Sequence, residues 1–501
     1  MTRPLLYILV NVLVAVAAVV GFAVHKDAAH PIYVMLLFAI CSTPIIEAKT
    51  VNGAYSLLIL WSFDYFLMYG ALDLRNLLFG LDGIAVEADG LLSPTELVIL
   101  LGGVLVQIAY RVACGAASKS RPTAPPRNWS EFTLVAVGIV LWVVCSRLNW
   151  VFSVDTFTEK STAAVAAGMA SLGGVKIGII MIARMAQPLS ILILAYVQCR
   201  YKRTYMTPIL LAVVFYQLMF GFIIDTKSEA LIGGVLVILT NFLVNGRVPK
   251  IWLVSMLVVI AVGFPILQAN RVVRDERGVN PMKAAENLAQ SFEKALEATD
   301  RTNKGSERAQ TALERATAKG SVEIIVRGTG TITPFEHGYT LIPMLEAFIP
   351  RLLWPDKPSI QTGQIMNKKF HVTEGDLTYI SPSHLGELYW NFGWPGVIVG
   401  MSLVGLLFGA LGARFNLAEA ATITRVLVIM VTAREVILSS EGEIATHYVV
   451  WMRSMLGIGL LHLAFARLPW TAGIRTEAVP ATSARDIPEP PPSPQFPNLL
   501  R

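Results

Sequence analysis

The feature that most constrains this chain is its series of long apolar stretches, about twelve of them, each near the roughly 20 residues that a helix needs to cross a bilayer. They centre on Ala15, Phe38, Leu60, Val104, Ile139, Ala186, Phe215, Val237, Val258, Leu403, Ile429 and Gly457. Hydrocarbon offers no partner for a backbone amide, so only a segment that closes its own hydrogen bonds can sit there. The expected fold is therefore all-α: a polytopic helical bundle of about twelve transmembrane helices. Composition agrees, since 54 % of the residues are hydrophobic and 15 % charged, which excludes a water-soluble domain. A net charge of +6 is modest for 501 residues and argues for charged loops rather than nucleic-acid binding.

Loop charges give an orientation. Lys119, Arg121 and Arg127 follow the fourth stretch, Arg200, Lys202 and Arg203 the sixth, Arg247 and Lys250 the eighth, and Arg414 and Arg425 separate the tenth from the eleventh. Positive loops stay inside, so these face the cytoplasm, and an even number of spans puts both termini there as well. The alternate loops are acidic, with Asp73, Asp82, Glu87 and Asp89 after the third stretch and Asp155 and Glu159 after the fifth. The apolar run Leu5 to Val24 lacks a cleavage pattern and reads as a retained first span.

The same alternation places the large polar insertion on the outer face. Between Asn270 and Pro350 it carries 11 basic and 11 acidic residues, so any cationic site must arise from placement. Within it, Met282 to Thr317 is rich in Ala, Glu, Lys and Arg with apolar residues three to four apart, the pattern of one or two amphipathic helices. Thr340 to Trp354 is apolar but broken by Pro343 and Pro350, which suits the outer membrane boundary. Four regions follow: spans one to nine in residues 1–269, the outer loop in 270–383, a short re-entrant helix with the last three spans in 384–467, and a proline-rich disordered cytoplasmic tail in 468–501.

Candidate chemistry begins with charge inside apolar stretches, which is costly and marks functional positions. Asp64, Arg184, Arg434, Glu435 and Arg453 are such residues. An internal ion pair of Asp64 with Arg184 or Arg434 would explain some of them, and snorkelling would explain Arg453. The alternative is that they line one outward-facing cavity. Helical spacing puts Arg434 and Glu441 on one face and Glu435 on another. Arg271 and Arg274 share a face just beyond the ninth stretch, while Arg351 and Lys357 flank a turn pinned by Pro355 and Pro358.

The segment Ser381 to Gly396 reads as a helix of about ten residues, started near Ser381 and broken between Asn391 and Gly396. Its His384 and Glu387 are three apart and share a face, a pairing able to move a proton. Glu441-Gly442-Glu443 reads as a solvated outer loop, and the four cysteines, in apolar settings without C-x-x-C spacing, as small core residues. No phosphate loop, zinc motif or nucleophile elbow is present in the sequence, so no cofactor and no metal are expected.

With PRLLWPDKP at 350–358 and SHLGELYWNFGWPG at 383–396, followed by an apolar span, the chain resembles the Wzy-type polymerases of O-antigen or exopolysaccharide repeat units. The resemblance implies glycosyl transfer at the outer face of the bacterial inner membrane, from one polyprenyl-diphosphate carrier to a sugar on another. It also implies a flippase and a chain-length regulator as pathway partners. On this reading Arg184, Arg271, Arg274, Arg351, Lys357, Arg434 and Arg453 hold the diphosphate, and Tyr389 and Asn391 contact substrate. Glu387 or His384 serves as base, with Glu441 and His447 in reserve. An O-antigen ligase would have nearly the same charge requirements, and a flippase for lipid-linked sugars is the non-enzymatic alternative. Replacing Arg351 or Arg434 by alanine is expected to abolish long-chain glycan while protein level and insertion stay normal. Gel analysis of extracted glycan checks it, and unchanged chain length would count against the role.

Overall fold

A computed structural model describes residues 3–24, 31–48, 50, 52–79, 92–118, 128–157, 174–223, 227–259, 263, 317–347, 349, 354, 362–373 and 379–466. The expected amphipathic helix at 282–317, the turn around Arg351 and Lys357, and the tail lie outside these residues, apart from Thr317 and Trp354.

The regular elements among the described residues are helices, with no strand and an isolated bridge between Thr329 and Thr333. The helices are α1 (Arg3–Val24), α2 (Pro31–Glu47), α3 (Ser56–Tyr69), α4 (Ala71–Phe79), α5 (Pro94–Ser118), α6 (Glu131–Phe157), α7 (Gly174–Tyr201), α8 (Met206–Ile223), α9 (Lys227–Asn245), α10 (Lys250–Val259), α11 (Lys319–Gly328), α12 (Ile342–Glu346), α13 (Thr362–Phe370), α14 (His384–Arg414), α15 (Ile423–Thr432) and α16 (Ile444–Ala466). All twelve apolar centres fall on helices. Five helices among the described residues are long and apolar enough to cross a membrane, or six if the bent pair α3–α4 is one span, and five further apolar helices are shorter.

The close packing of α14 on α5 forms the spine of the bundle. Gly405 rests on the Val106 carbonyl, Gly409 on the Tyr110 carbonyl and Gly412 on the Tyr110 hydroxyl, places where any Cβ would collide with the neighbour. Between helices in lipid, where apolar side chains are as well solvated by tails as by each other, such small residues let backbones approach and gain dispersion contact. Buried polar groups then act as glue. Tyr65 donates to the Ile99 carbonyl at 2.7 Å and Tyr33 to the Tyr69 carbonyl at 2.6 Å. Gln187 on α7 bonds Asn149 on α6 and, at 2.8 Å, Gln217 on α8. All four cysteines are buried.

Ion pairs mark the helix ends that loop charge assigns to the cytoplasm: Arg111 with Glu47 at 2.8 Å and Arg203 with Glu131 at 2.7 Å. The break foreseen after Asn391 is present. Gly393 takes a left-handed φ of 61° and Pro395 follows, so the segment His384–Phe392 is set off by a kink from the rest of α14. The helix start differs from expectation. Ser383, not Ser381, caps it, because the Ser383 hydroxyl accepts the Gly386 amide at 3.2 Å while Ser381 turns its hydroxyl to the Glu441 carbonyl.

Gly409→Leu is expected to force α14 off α5 and lower stability by about 1–3 kcal/mol, the usual penalty of overpacking. Thermal unfolding of the purified protein in detergent would show a lowered midpoint; an unchanged midpoint would mean that this contact is slack.

Candidate functional site

The first turn of α14 meets the loop between α15 and α16 through paired backbone bonds. The Ser383 amide donates to the Glu441 carbonyl at 3.0 Å and the His384 amide to the Ser440 carbonyl at 2.9 Å. Ser383 itself holds φ 60°, an unfavourable conformation for a residue with a Cβ, kept there by this stitch and by its own cap.

The stitch carries Glu387 to the start of α16. Its Oε2 accepts the Ile444 amide at 2.7 Å, satisfying one of the donors that a helix leaves open at its N-terminus. The residue is fully buried, and its other oxygen, Oε1, has no hydrogen-bond partner among the described residues. The same holds for His384 Nε2 and the Tyr448 hydroxyl. The His384 ring centre lies 5.5 Å from that of Tyr448 and 6.1 Å from that of His447. Gly442 lies so close to the His447 ring that a side chain there would overlap Nε2.

Glu443 completes the group. Tyr379 donates to its Oε2 at 2.5 Å and Thr446 donates to its Oε1. The Tyr379 ring is half exposed while its phenol points inward, so burial and then the Glu443 carboxylate push the phenol pKa upward. The expectation of a wholly solvated Glu441-Gly442-Glu443 loop is thereby corrected: Glu441 is exposed, but Glu443 is buried because two hydroxyls from flanking segments close over it.

Arg434 also departs from the helical reading. Residues Ala433–Ile437 form a π turn, and the chain leaves the helix before reaching Glu441. The wider turn changes the angular step, so Arg434 pairs with the adjacent Glu435 rather than sharing a face with Glu441. It remains within electrostatic range of His447. Asp64 accepts the Ser440 hydroxyl at 3.0 Å, not an arginine.

The other candidates are dispersed. Arg184 is exposed on α7, whose neighbours are α6, α8, α9 and α15. Arg453 donates to the Ala347 carbonyl at 2.8 Å, turned toward α12. Arg271, Arg274, Arg351 and Lys357 lie outside the described residues. Tyr389 is half-buried with its ring edge-on to Trp394 at 6.1 Å. Asn391 is fully buried and ties the kinked segment to the preceding turn: its amide donates to Thr340 Oγ1 at 2.7 Å and to the Glu387 carbonyl at 2.8 Å, while its oxygen accepts the Gly338 amide at 2.8 Å.

The described part of the site is thus rich in carboxylates, with two histidines, two tyrosines and one guanidinium. Among the described residues no group of three or more His, Cys, Asp or Glu has the arrangement to hold a metal ion. Tyr379 and Tyr448 were not picked out by the sequence, and Glu443 was read there only as part of a solvated loop. The only available signal was the placement of Glu443 and Thr446 three residues apart at a helix start.

An all-helical membrane protein with buried, unpartnered acid and imidazole groups where two helices begin belongs among catalysts or carriers working within the bilayer. A family profile decides between them: that of the O-antigen polysaccharide polymerase Wzy matches residues 169–438, more than half of the chain. The chain belongs to the O-antigen polymerase Wzy family. The matched region contains His384, Glu387 and Arg434 and stops short of Glu443, His447 and Arg453. No curated protein and no solved structure matches the chain.

Asn391→Ala would leave the Gly338 amide without its partner and release the Thr340 hydroxyl. The expected loss is about 1–3 kcal/mol, read as a lower unfolding midpoint; retention of full stability would show that neighbours re-pair these groups.

Proposed function

We propose that this chain polymerises carrier-linked oligosaccharide repeat units, with Glu387 as the base for the acceptor hydroxyl. The observation that carries the reading is the state of the Glu387 carboxylate. One oxygen is held by the Ile444 amide, which fixes the side chain, and the other is buried without a hydrogen-bond partner among the described residues, one helical turn along α14 from His384, whose ring centre lies 5.5 Å from that of Tyr448. A carboxylate so oriented can accept a proton at Oε1 without reorganising, and the neighbouring imidazole and phenol can bond further hydroxyls of a sugar ring.

In the step itself the acceptor oxygen forms a bond to the anomeric carbon of the growing glycan. The bond from that carbon to the carrier's phosphate oxygen breaks, and the acceptor proton passes to Glu387. The departing polyprenyl diphosphate takes the electron pair and develops negative charge. Arg434 is a described cation within electrostatic range of His447, and Arg271, Arg274, Arg351 and Lys357 of the outer segment are proposed to share the stabilisation, with Arg184 and Arg453 lining the approach. Pairing with Glu435 keeps the Arg434 head group ordered rather than free to snorkel. No nucleotide is needed, because the diphosphate ester already carries the driving force.

The topology proposed with this mechanism has both termini in the cytoplasm, about twelve spans, and residues 270–383 on the outer side of the inner membrane, where carrier-linked units from a flippase arrive. In a strain lacking the protein, Glu387→Gln is expected to reduce polymer formation by about 10²–10⁴-fold, leaving products of one repeat unit, with normal protein level. Gel separation of the glycans reads this. Full-length chains left on the carrier beside bare acceptor would instead indicate a ligase, and an unchanged ladder would remove Glu387 from the mechanism.

A further inference from the structure

Midway through the 270–383 segment, Lys319 is the first residue of α11 and is inserted into the bundle. Its ammonium donates to Asp73 on α4 at 2.6 Å and to Glu96 on α5 at 3.1 Å, and it lies 4.3 Å from the centre of the Tyr33 ring on α2. The acids are themselves held: Glu96 accepts the Ser93 amide at 2.8 Å while the Ser93 hydroxyl accepts the Glu96 amide at 3.2 Å, a reciprocal cap at the start of α5. Burial pulls the Lys319 pKa down, but Asp73 and Glu96 more than offset it, so the charge is kept. One residue earlier, the Ala318 amide donates to the Met68 carbonyl at the end of α3 at 3.1 Å.

From this anchor α11 runs along the first turns of α14. Val322 and Ile325 lie over Gly386, the residue beside Glu387, where an added Cβ would come within 2.9 Å of Ile325 Cδ1. Ile325 also packs with Trp390 on the same kinked segment. The Met68 to which Ala318 is tied receives the Ser440 hydroxyl on its sulfur at 3.1 Å, so the anchor reaches the loop opposite Glu387 as well.

We propose that Lys319 is a positioning residue: by closing on Asp73 and Glu96 it seats α11 against Gly386 and so fixes the turn that presents His384 and Glu387. This rests on the polymerase reading for its catalytic consequence, but not for its structural one. A mutant lacking only the ammonium would take the Lys319 charge away from buried Glu96 and half-buried Asp73 and destabilise for that reason alone. The informative variant is therefore the isosteric neutral triad Lys319→Met/Asp73→Asn/Glu96→Gln, which removes the ionic clamp without stranding a charge.

The experiment uses the full-length protein in lipid nanodiscs with a lipid-diphosphate repeat unit as probe, and reads steady-state kinetics together with backbone hydrogen exchange. For the neutral triad, an unfolding midpoint close to wild type is expected, with kcat lowered about tenfold or more, KM changed less than about threefold, and faster exchange in both 319–328 and 384–392. Wild-type kcat and wild-type protection of 384–392 in the neutral triad would overturn the proposal, as would equal loss of protection across the whole bundle, which signals general unfolding. If the wild-type protein forms no polymer, the polymerase reading fails by itself. The exchange in 384–392 then still decides whether Lys319 positions that turn.

Discussion

The site depends on two backbone hydrogen bonds, from the amides of Ser383 and His384 to the carbonyls of Glu441 and Ser440. In an apolar setting an amide that loses its partner finds no water to replace it, so the two segments are held in register by the cost of separating them. Once they are joined, the fourth residue of α14 faces the first amide of α16, and a carboxylate at Glu387 is drawn there by an open N–H and a favourable helix dipole. His384, His447, Tyr448 and Glu443 are neighbours for the same reason. None of them would meet if α14 began two residues earlier, because each residue added rotates the helix by about 100°.

Elsewhere in the bundle, several buried polar side chains tie helices together. Asn391, Gln187, Tyr65 and Tyr33 each bond a neighbouring helix or turn, which holds helices together where the hydrophobic effect gives no preference between tail and side chain. Unpartnered buried polar atoms occur elsewhere too, among them Ser62 Oγ, Thr240 Oγ1 and Trp129 Nε1, but those on Glu387, His384 and Tyr448 come from the starts of two helices that meet. Each buried group left without a bond costs about 1–3 kcal/mol, so three together amount to a substantial penalty in one place. A fold keeps such a penalty where a ligand relieves it, and a sugar ring with several hydroxyls is chemically suited to do so.

Charge is arranged differently from the simple picture of converging guanidinium groups. The described neighbourhood is acidic, and its arginine is already paired to Glu435. On the proposed mechanism the leaving diphosphate is held only transiently, and a cation whose charge is partly balanced would bind it less tightly and release it more readily. Four of the candidate cations, Arg271, Arg274, Arg351 and Lys357, lie in the 271–357 stretch, which the proposed topology puts outside. The Lys319 triad fastens the middle of that stretch to α4 and α5, through acids that lie 246 and 223 residues away in the chain.

What the sequence determined by itself is the set of helices and the position of one break. Runs of apolar residues near bilayer length admit no other backbone, and Gly393 with Pro395 admits no straight helix, so all twelve centres and the kink could be read directly. His384 and Glu387 were legible for the same local reason, being three apart on a short helix. Only the tertiary structure decided who meets whom. Periodicity describes one helix and stops where it ends: a π turn at Ala433–Ile437 and the loop after it rotated Arg434 away from Glu441 and toward Glu435. Tyr379 and Glu443, 64 residues apart, and Lys319 with its distant acids carry no joint signal in a single chain. Those pairings depend on how whole helices pack, through glycines that set the separation of α14 from α5, and spacing along the chain contains nothing of that distance.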